Sequence, residues 1–223
     1  MTHEATTGGR VGQEVPPGER RRGLRSVLSW PRLYRAYHRA IGARVMREAV
    51  VTQLRPKPGD RLLDIGCGTA DILEYLPDVE YVGFDQSERY IKHARARWGT
   101  RGRFFVADIR AVDVRELGKF ELALAHGVVH HVPDDIASHV FALAAAALVP
   151  TGRFVTIDSC YDEQQSWLAR LIVSADRGRA IRTNDEYRAL ARESFGRVDA
   201  QVHHSLLRIP FTLSLVTCEE PRA

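Results

Sequence analysis

"RLLDIGCGTADILEYL", residues 61–76, decides the fold. A short apolar run ends in two glycines, Gly66 and Gly68, one residue apart, and an apolar pattern of helical spacing follows over 69–76. Glycines spaced in this way let a backbone approach another group closely. Strand, tight turn and helix in succession predict the first unit of a doubly wound sheet, whose ligands lie outside the carboxyl ends of the strands.

Outward from this stretch, short apolar runs at 81–85, 103–107, 120–125 and 153–158 alternate with amphipathic runs at 87–98, 134–147, 162–173 and 184–194. Alternating strands and helices imply an α/β fold with a parallel sheet covered on both faces. Two further strand-like runs, 198–205 and 212–218, have no helix between them, so they must pair antiparallel. The expected architecture is a doubly wound, mainly parallel seven-stranded sheet with an antiparallel terminal strand. Thr183 followed by Glu186 marks the start of the 184–194 helix as a capping box. Upstream, Leu33, Tyr34, Tyr37 and Ile41 recur at helical spacing, and Val45, Met46, Ala49, Val50 and Leu54 continue a second helix until "RPKPGD" (55–60) ends it. Residues 1–28 are polar and aperiodic and read as a disordered tail, leaving 29–223 as one domain.

Length and composition suit that domain. The chain has 223 residues, 44% apolar and 27% charged, enough to bury a sizeable core. No stretch reaches the roughly 18–20 apolar residues of a membrane span, and the N-terminal residues lack the apolar run of a secretory leader. Cys67, Cys160 and Cys218 show neither disulfide nor zinc spacing. A cytoplasmic setting is therefore expected. Residues 1–25 carry a net charge of +2, half of the chain's +4, which leaves the remainder close to neutral and disfavours nucleic acid as a partner.

The ligand is read from the strand tips. A dinucleotide fingerprint wants a third glycine, where this chain has Asp71, a carboxylate that would repel a pyrophosphate. Asp64, two places before Gly66, suits an ammonium group instead, and the backbone of Gly66, Cys67 and Gly68 can touch the same ligand. Asp85, 17 residues after Gly68, stands at the second strand tip, where a carboxylate can accept from both ribose hydroxyls. Asp108 at the third tip can accept from the exocyclic amine of adenine, with the Ile109 N–H facing a ring nitrogen. Each aspartate alone also suits a helix cap. Three in series beside the glycine turn point to a nucleoside.

These residues carry a resemblance. "LLDIGCGTA", "YVGFDQS", "VADI", "ALAHGVVHHVPD" and "LVPTGRFVTID" are similar, in order, to the motifs of the class I S-adenosylmethionine-dependent methyltransferases, with Ala70 where glycine is more usual. The resemblance covers about residues 30–218. It implies the Rossmann-like methyltransferase fold, S-adenosyl-L-methionine as cofactor and a small-molecule methyl acceptor. It also implies that Asp64 and the 66–68 backbone hold the methionine end, with His126 nearby. Asp85 would then hold the ribose, and Asp108, Ile109 and Gln86 would surround the adenine.

Methyl transfer to a hydroxyl needs positioning and a base. The candidates follow strands four and five: His126, His130 and His131 in "AHGVVHH", and Asp158 and Tyr161 in "TIDSCY". An imidazole suits a base near neutral pH, and a carboxylate can orient it. His130 as base with Asp158 as its orienting partner is the expected pair, against a purely structural role for His130. His131 is assigned to loop structure and Cys67 to filling space. No metal is expected, because these strand ends lack a set of carboxylates that would hold one. The segment 159–195 is expected to form an acceptor lid. Within it Trp167, Leu168, Leu171 and Ile172 give an apolar helix face, read as core rather than pocket, and Arg177, Arg179 and Arg182 follow, read as solvated or salt-bridged. Two other functions stay open: methylation of tRNA or protein, and a descendant that binds the cofactor without transferring its methyl group or catalyses a rearrangement.

Overall fold

The computed structural model describes residues 42–176, 178 and 180–222. The predicted tail, the predicted helix bearing Tyr34, Tyr37 and His38, and Arg177 and Arg179 lie outside them.

Strand β1 (Arg61–Ile65) lies mid-sheet, and all of it except Arg61 is buried. β2 (Glu80–Asp85) and β3 (Gly102–Val106) extend the sheet on one side, β4 (Phe120–His126) and β5 (Leu148–Tyr161) on the other. β7 (Phe195–His203) and β8 (Leu213–Pro221) complete the order β3-β2-β1-β4-β5-β8-β7. β8 is antiparallel to both β5 and β7, as the missing crossover helix requires. A two-residue strand, β6 (Arg182–Thr183), pairs with the end of β5 and makes an eighth member.

Successive strand residues point to opposite faces, so the sheet has two cores. Leu63, Phe84, Phe120 and Phe154 pack under α3 (Asp134–Ala147) and α5 (Asn184–Ser194). Leu62, Tyr81, Leu124 and Ile157 pack under α1 (Ala43–Leu54) and α2 (Glu88–Trp98). Thr183 caps α5 as predicted: its hydroxyl accepts from the Glu186 N–H while the Glu186 carboxylate accepts from the Thr183 N–H.

Two predicted helices differ. Over 69–76 the chain makes only a 3-10 turn, Asp71–Glu74. Ala70 is left-handed (φ 53°), the Leu73 N–H bonds to Ala70 O, and Thr69 O is taken by the Trp98 indole N–H at 3.1 Å. Asp71 is drawn into an ion pair with Arg97. The carbonyl that would start an α-helix is therefore already engaged. The second difference is the helix expected over 162–173. It begins only at Trp167, because the Gln165 side chain closes a turn onto the Asp162 N–H (3.0 Å) and Ser166 then caps α4 (Trp167–Ser174). The apolar face of α4 is not core: Trp167 is 77% exposed and Leu171 57%, while Ala169 and Val173 are buried.

Candidate functional site

The site edge is built by the carboxyl ends of β1, β2, β4 and β5. Asp64 is buried, and its Oδ2 accepts from the Tyr81 hydroxyl at 2.5 Å. Its Oδ1 is equally buried and has no hydrogen-bond partner among the described residues. Burial pushes this carboxyl up to about 7, opposed by the Tyr81 bond and assisted by the nearby charge of Asp85.

Gly66 and Gly68 then serve different ends. Both have positive φ (72° and 54°). A Cβ on Gly66 would fall 2.7 Å from Val128, so its missing side chain admits this chain's own loop after β4. A Cβ on Gly68 would meet nothing within 4 Å. That open face, together with the unpartnered Asp64 oxygen, is what a ligand carrying an ammonium group requires, and the residues present fit S-adenosylmethionine on those two observations. Burial also pushes the Cys67 thiol up, which keeps it protonated and a filler.

Asp85 accepts from the Gly68 N–H (3.0 Å) and the Ser87 N–H (2.7 Å), one bond to each oxygen. Burial raises its carboxyl, and those two bonds counter the rise. The pair of bonds orients the carboxylate and leaves a further lone pair on each oxygen for a diol. Gln86 is exposed beside it. Asp108 is engaged by Arg110, whose backbone N–H and guanidinium both bond to it, and those bonds hold its carboxyl at about 2. The Ile109 carbonyl lies 3.2 Å from His139 Nε2. His126 ends β4, half-buried, just before Gly127, whose N–H bonds to Ile157 O.

His130 and Asp158 are brought together. His130 Nδ1 lies 2.8 Å from Asp158 Oδ1, and the His130 backbone N–H bonds to the same oxygen at 3.1 Å. The Thr156 hydroxyl donates to the other carboxylate oxygen. Burial alone would raise the Asp158 carboxyl; the bond to His130, the charge of its ring and the Thr156 and backbone bonds together bring it below the usual carboxylate range. The His131 ring leans on the His130 ring, with centroids 4.0 Å apart.

Three side chains here were not singled out from sequence as partners of this pair: Thr156, Asp176 and Arg182. Asp176 Oδ2 lies 3.6 Å from His130 Nε2 and accepts from the Ser159 hydroxyl at 2.6 Å. Arg182, expected as a solvated or salt-bridged cation, is buried: it donates to Val129 O, Val132 O and Ala180 O and pairs with Asp134 at 2.7 Å. It therefore clasps the His130 loop from the segment after β5. Thr156 was legible in principle, two residues before Asp158 on the same strand face. Among the described residues no group of three or more His, Cys, Asp or Glu is placed to hold a metal ion.

A doubly wound sheet with acidic strand tips around a glycine turn defines an α/β protein of the nucleoside-binding class. The family model described as "Methyltransferase domain" matches residues 62–152, which span the glycine turn, Asp85, Asp108 and His130. Over that span the chain is similar to the methyltransferases. It is 32% identical over 158 residues to 27-O-demethylrifamycin SV methyltransferase of Amycolatopsis mediterranei (strain S699), over 62% of this chain. The match spans about half (54%) of that curated relative. Among solved structures it is similar to the 1,6-didemethyltoxoflavin-N1-methyltransferase of Burkholderia thailandensis, which was solved with 1,6-didemethyltoxoflavin and S-adenosylhomocysteine. The TM-score is 0.64 at 22% identity, covering 89% of this chain and 86% of that one. The [4+2]-cyclase SpnF has the same fold, with a TM-score of 0.64 at 14% identity over 80% of each chain. Among the described residues no helix is long and apolar enough to cross a membrane.

Proposed function

We propose that the chain transfers a methyl group from S-adenosylmethionine to a hydroxyl oxygen of a small molecule. The observation that carries this is the buried His130–Asp158 pair on a loop whose Val128 packs against Gly66. That contact supports His130 as a base beside the turn assigned to the methionine end. The name of the curated relative, an O-demethyl substrate's methyltransferase, supports oxygen as the acceptor atom.

When bound, the cofactor supplies a methyl group on a sulfonium. Asp64 and the 66–68 backbone orient the end that carries it, and Asp85 fixes the ribose. Donation of the Nδ1 proton to Asp158 leaves His130 Nε2 as the proton acceptor for the incoming hydroxyl. Asp158 then stabilises the imidazolium, and His130 returns the proton to water. Asp176 Oδ2 stands 3.6 Å from His130 Nε2, and a Cβ on Gly178 would fall 2.5 Å from Cδ2, so the Asp176 carboxylate moves aside to admit the hydroxyl. Near-neutral charge outside the first 25 residues supports a small molecule over nucleic acid.

One observation favours a second function, cofactor binding without transfer: the same enclosure of His130 suits a structural ring. The two are separated by incubating the protein with S-adenosylmethionine and a panel of hydroxylated aromatic and polyketide compounds. Formation of S-adenosylhomocysteine with a methylated product supports transfer; a product isomeric with its substrate, with the cofactor intact, supports the second.

A further inference from the structure

Tyr81 stands where the assigned roles end. It is buried at the start of β2, and its ring runs along the strand rather than across it. A Cβ on Gly83 would fall 2.8 Å from the Tyr81 ring and 2.9 Å from both Cβ and Sγ of Cys67. The absence of a side chain at Gly83 thus makes the slot through which the phenol reaches Asp64, two residues further along the neighbouring strand from its own register partner, Leu62. The hydroxyl donates to Asp64 Oδ2. Only Oδ1 remains, buried and without a partner among the described residues.

From this geometry we infer that Tyr81 is a positioning residue for Asp64, and that cofactor binding is coupled to loss of the Asp64 proton. This rests on the assignment of the glycine turn to the methionine end. A lone buried carboxylate oxygen is costly when ionised and unpaired. An ammonium group brought against Oδ1 supplies the missing partner, so the ionised form belongs to the bound state. The Tyr81 bond favours that same form, because a hydroxyl donates more strongly to a carboxylate than to a carboxylic acid. The other titratable groups near Asp64 oppose it or stay neutral. Asp85 at the end of β2 adds repulsion, and Cys67 in the following turn is held protonated by burial. From β4 the residue in register with Asp64 is Leu124. α1, over the same face, presents Arg47, which lies 3.7 Å from Asp71. The raised carboxyl of Asp64, at about 7, puts the transition within reach of ordinary buffers.

The test is calorimetric titration of the full chain with S-adenosylhomocysteine between about pH 5.5 and about pH 8, in buffers of differing ionisation enthalpy. For the wild type, affinity falls as pH drops below about 7, approaching tenfold per unit, and binding near pH 6.5 releases protons. Tyr81→Phe keeps the ring and removes the donor; its profile shifts to higher pH, with affinity close to wild type at the alkaline end. Asp64→Asn binds weakly and loses the pH dependence. Affinity of Tyr81→Phe reduced equally at every pH makes Tyr81 a packing residue and overturns its positioning role. A pH slope that survives in Asp64→Asn places the titrating group elsewhere and overturns the coupling. Flat wild-type binding overturns this inference alone, whereas no binding at any pH overturns the cofactor assignment and this inference with it.

Discussion

His130 presents two nitrogens to one oxygen: its ring Nδ1 and its backbone N–H both lie within 3.1 Å of Asp158 Oδ1. A single buried carboxylate thereby fixes both the position of the loop and the orientation of the ring. Removing it leaves two donors and the Thr156 hydroxyl without an acceptor. Asp158→Ala is expected to destabilise the protein by about 1–3 kcal/mol, the range for leaving buried donors without an acceptor. Urea unfolding at neutral pH measures it; a loss below about 1 kcal/mol would mean that water replaces the carboxylate freely.

The same pair sets an acid limb. The Asp158 carboxyl is lowered on folding, so its contribution is complete above the unfolded value of about 3.9 and is lost as pH falls through the lower folded value. Asp64 acts in the opposite sense. Its folded value of about 7 is raised, so its contribution is complete below about 3.9 and is lost as pH rises toward 7. In the free protein, Asp64→Asn should therefore flatten the loss of stability between about pH 4 and pH 7, and Asp158→Asn the loss below about pH 4. Thermal unfolding across that range, without cofactor, checks both; interchange of the two effects would refute the assignment.

Arg182 reaches three carbonyls and Asp134 in a planar fork that Lys cannot reproduce. Arg182→Lys should cost about 2–4 kcal/mol, leaving buried carbonyls unpaired. Hydrogen exchange should quicken at His131 and Val132, whose N–H groups bond to Val128 O and Val129 O within the loop that Arg182 holds. Unchanged exchange there would show that the loop holds itself.

The exposed face of α4 yields a prediction of another kind. With Tyr161, Arg170 and Ser174, Trp167 and Leu171 line an open groove of about 540 Å³. Trp167→Ser should change stability by no more than about 0.5 kcal/mol, since the ring is mostly in water. If 159–195 is an acceptor lid, the same change raises the acceptor KM while the cofactor Kd stays constant. A destabilised variant, or a weakened cofactor, would place Trp167 in a different role.

What was legible in the sequence was local. The positions of the strands along the chain follow from apolar periodicity, and Asp64, Asp85 and Asp108 stand out because each lies at a strand end beside a turn. The pairing of His130 with Asp158 followed because both lie at neighbouring strand ends. What was not legible depends on partners far along the chain. Nothing near residue 69 shows that Trp98 takes the Thr69 carbonyl and stops a helix. Arg182 reads as solvated or salt-bridged, and only the fold brings it to the carbonyl of Val129, 53 residues earlier. Helical apolar spacing in α4 says that one face is apolar and is silent on whether anything covers it. Tyr81 reads as a core aromatic, because only the register of β1 against β2 brings its hydroxyl to Asp64.

The two glycines of the opening stretch should separate under substitution. Gly66→Ala meets both a positive φ and Val128 at 2.7 Å, so strain of about 1–2 kcal/mol is joined by a steric clash. Trimming Val128 to Ala in the same chain removes the clash and leaves the strain, giving a coupling that a double-mutant cycle reads directly. Gly68→Ala meets only the strain, because nothing lies within 4 Å of its Cβ. Its loss of stability should stay near about 1–2 kcal/mol, with no rescue by Val128→Ala. The space it fills is the space assigned to the cofactor, so S-adenosylhomocysteine should bind at least about tenfold more weakly, which is about 1.4 kcal/mol. Unfolding curves and calorimetric titration of the five variants decide it. Full affinity in Gly68→Ala would show that the ligand does not approach this turn from its open side.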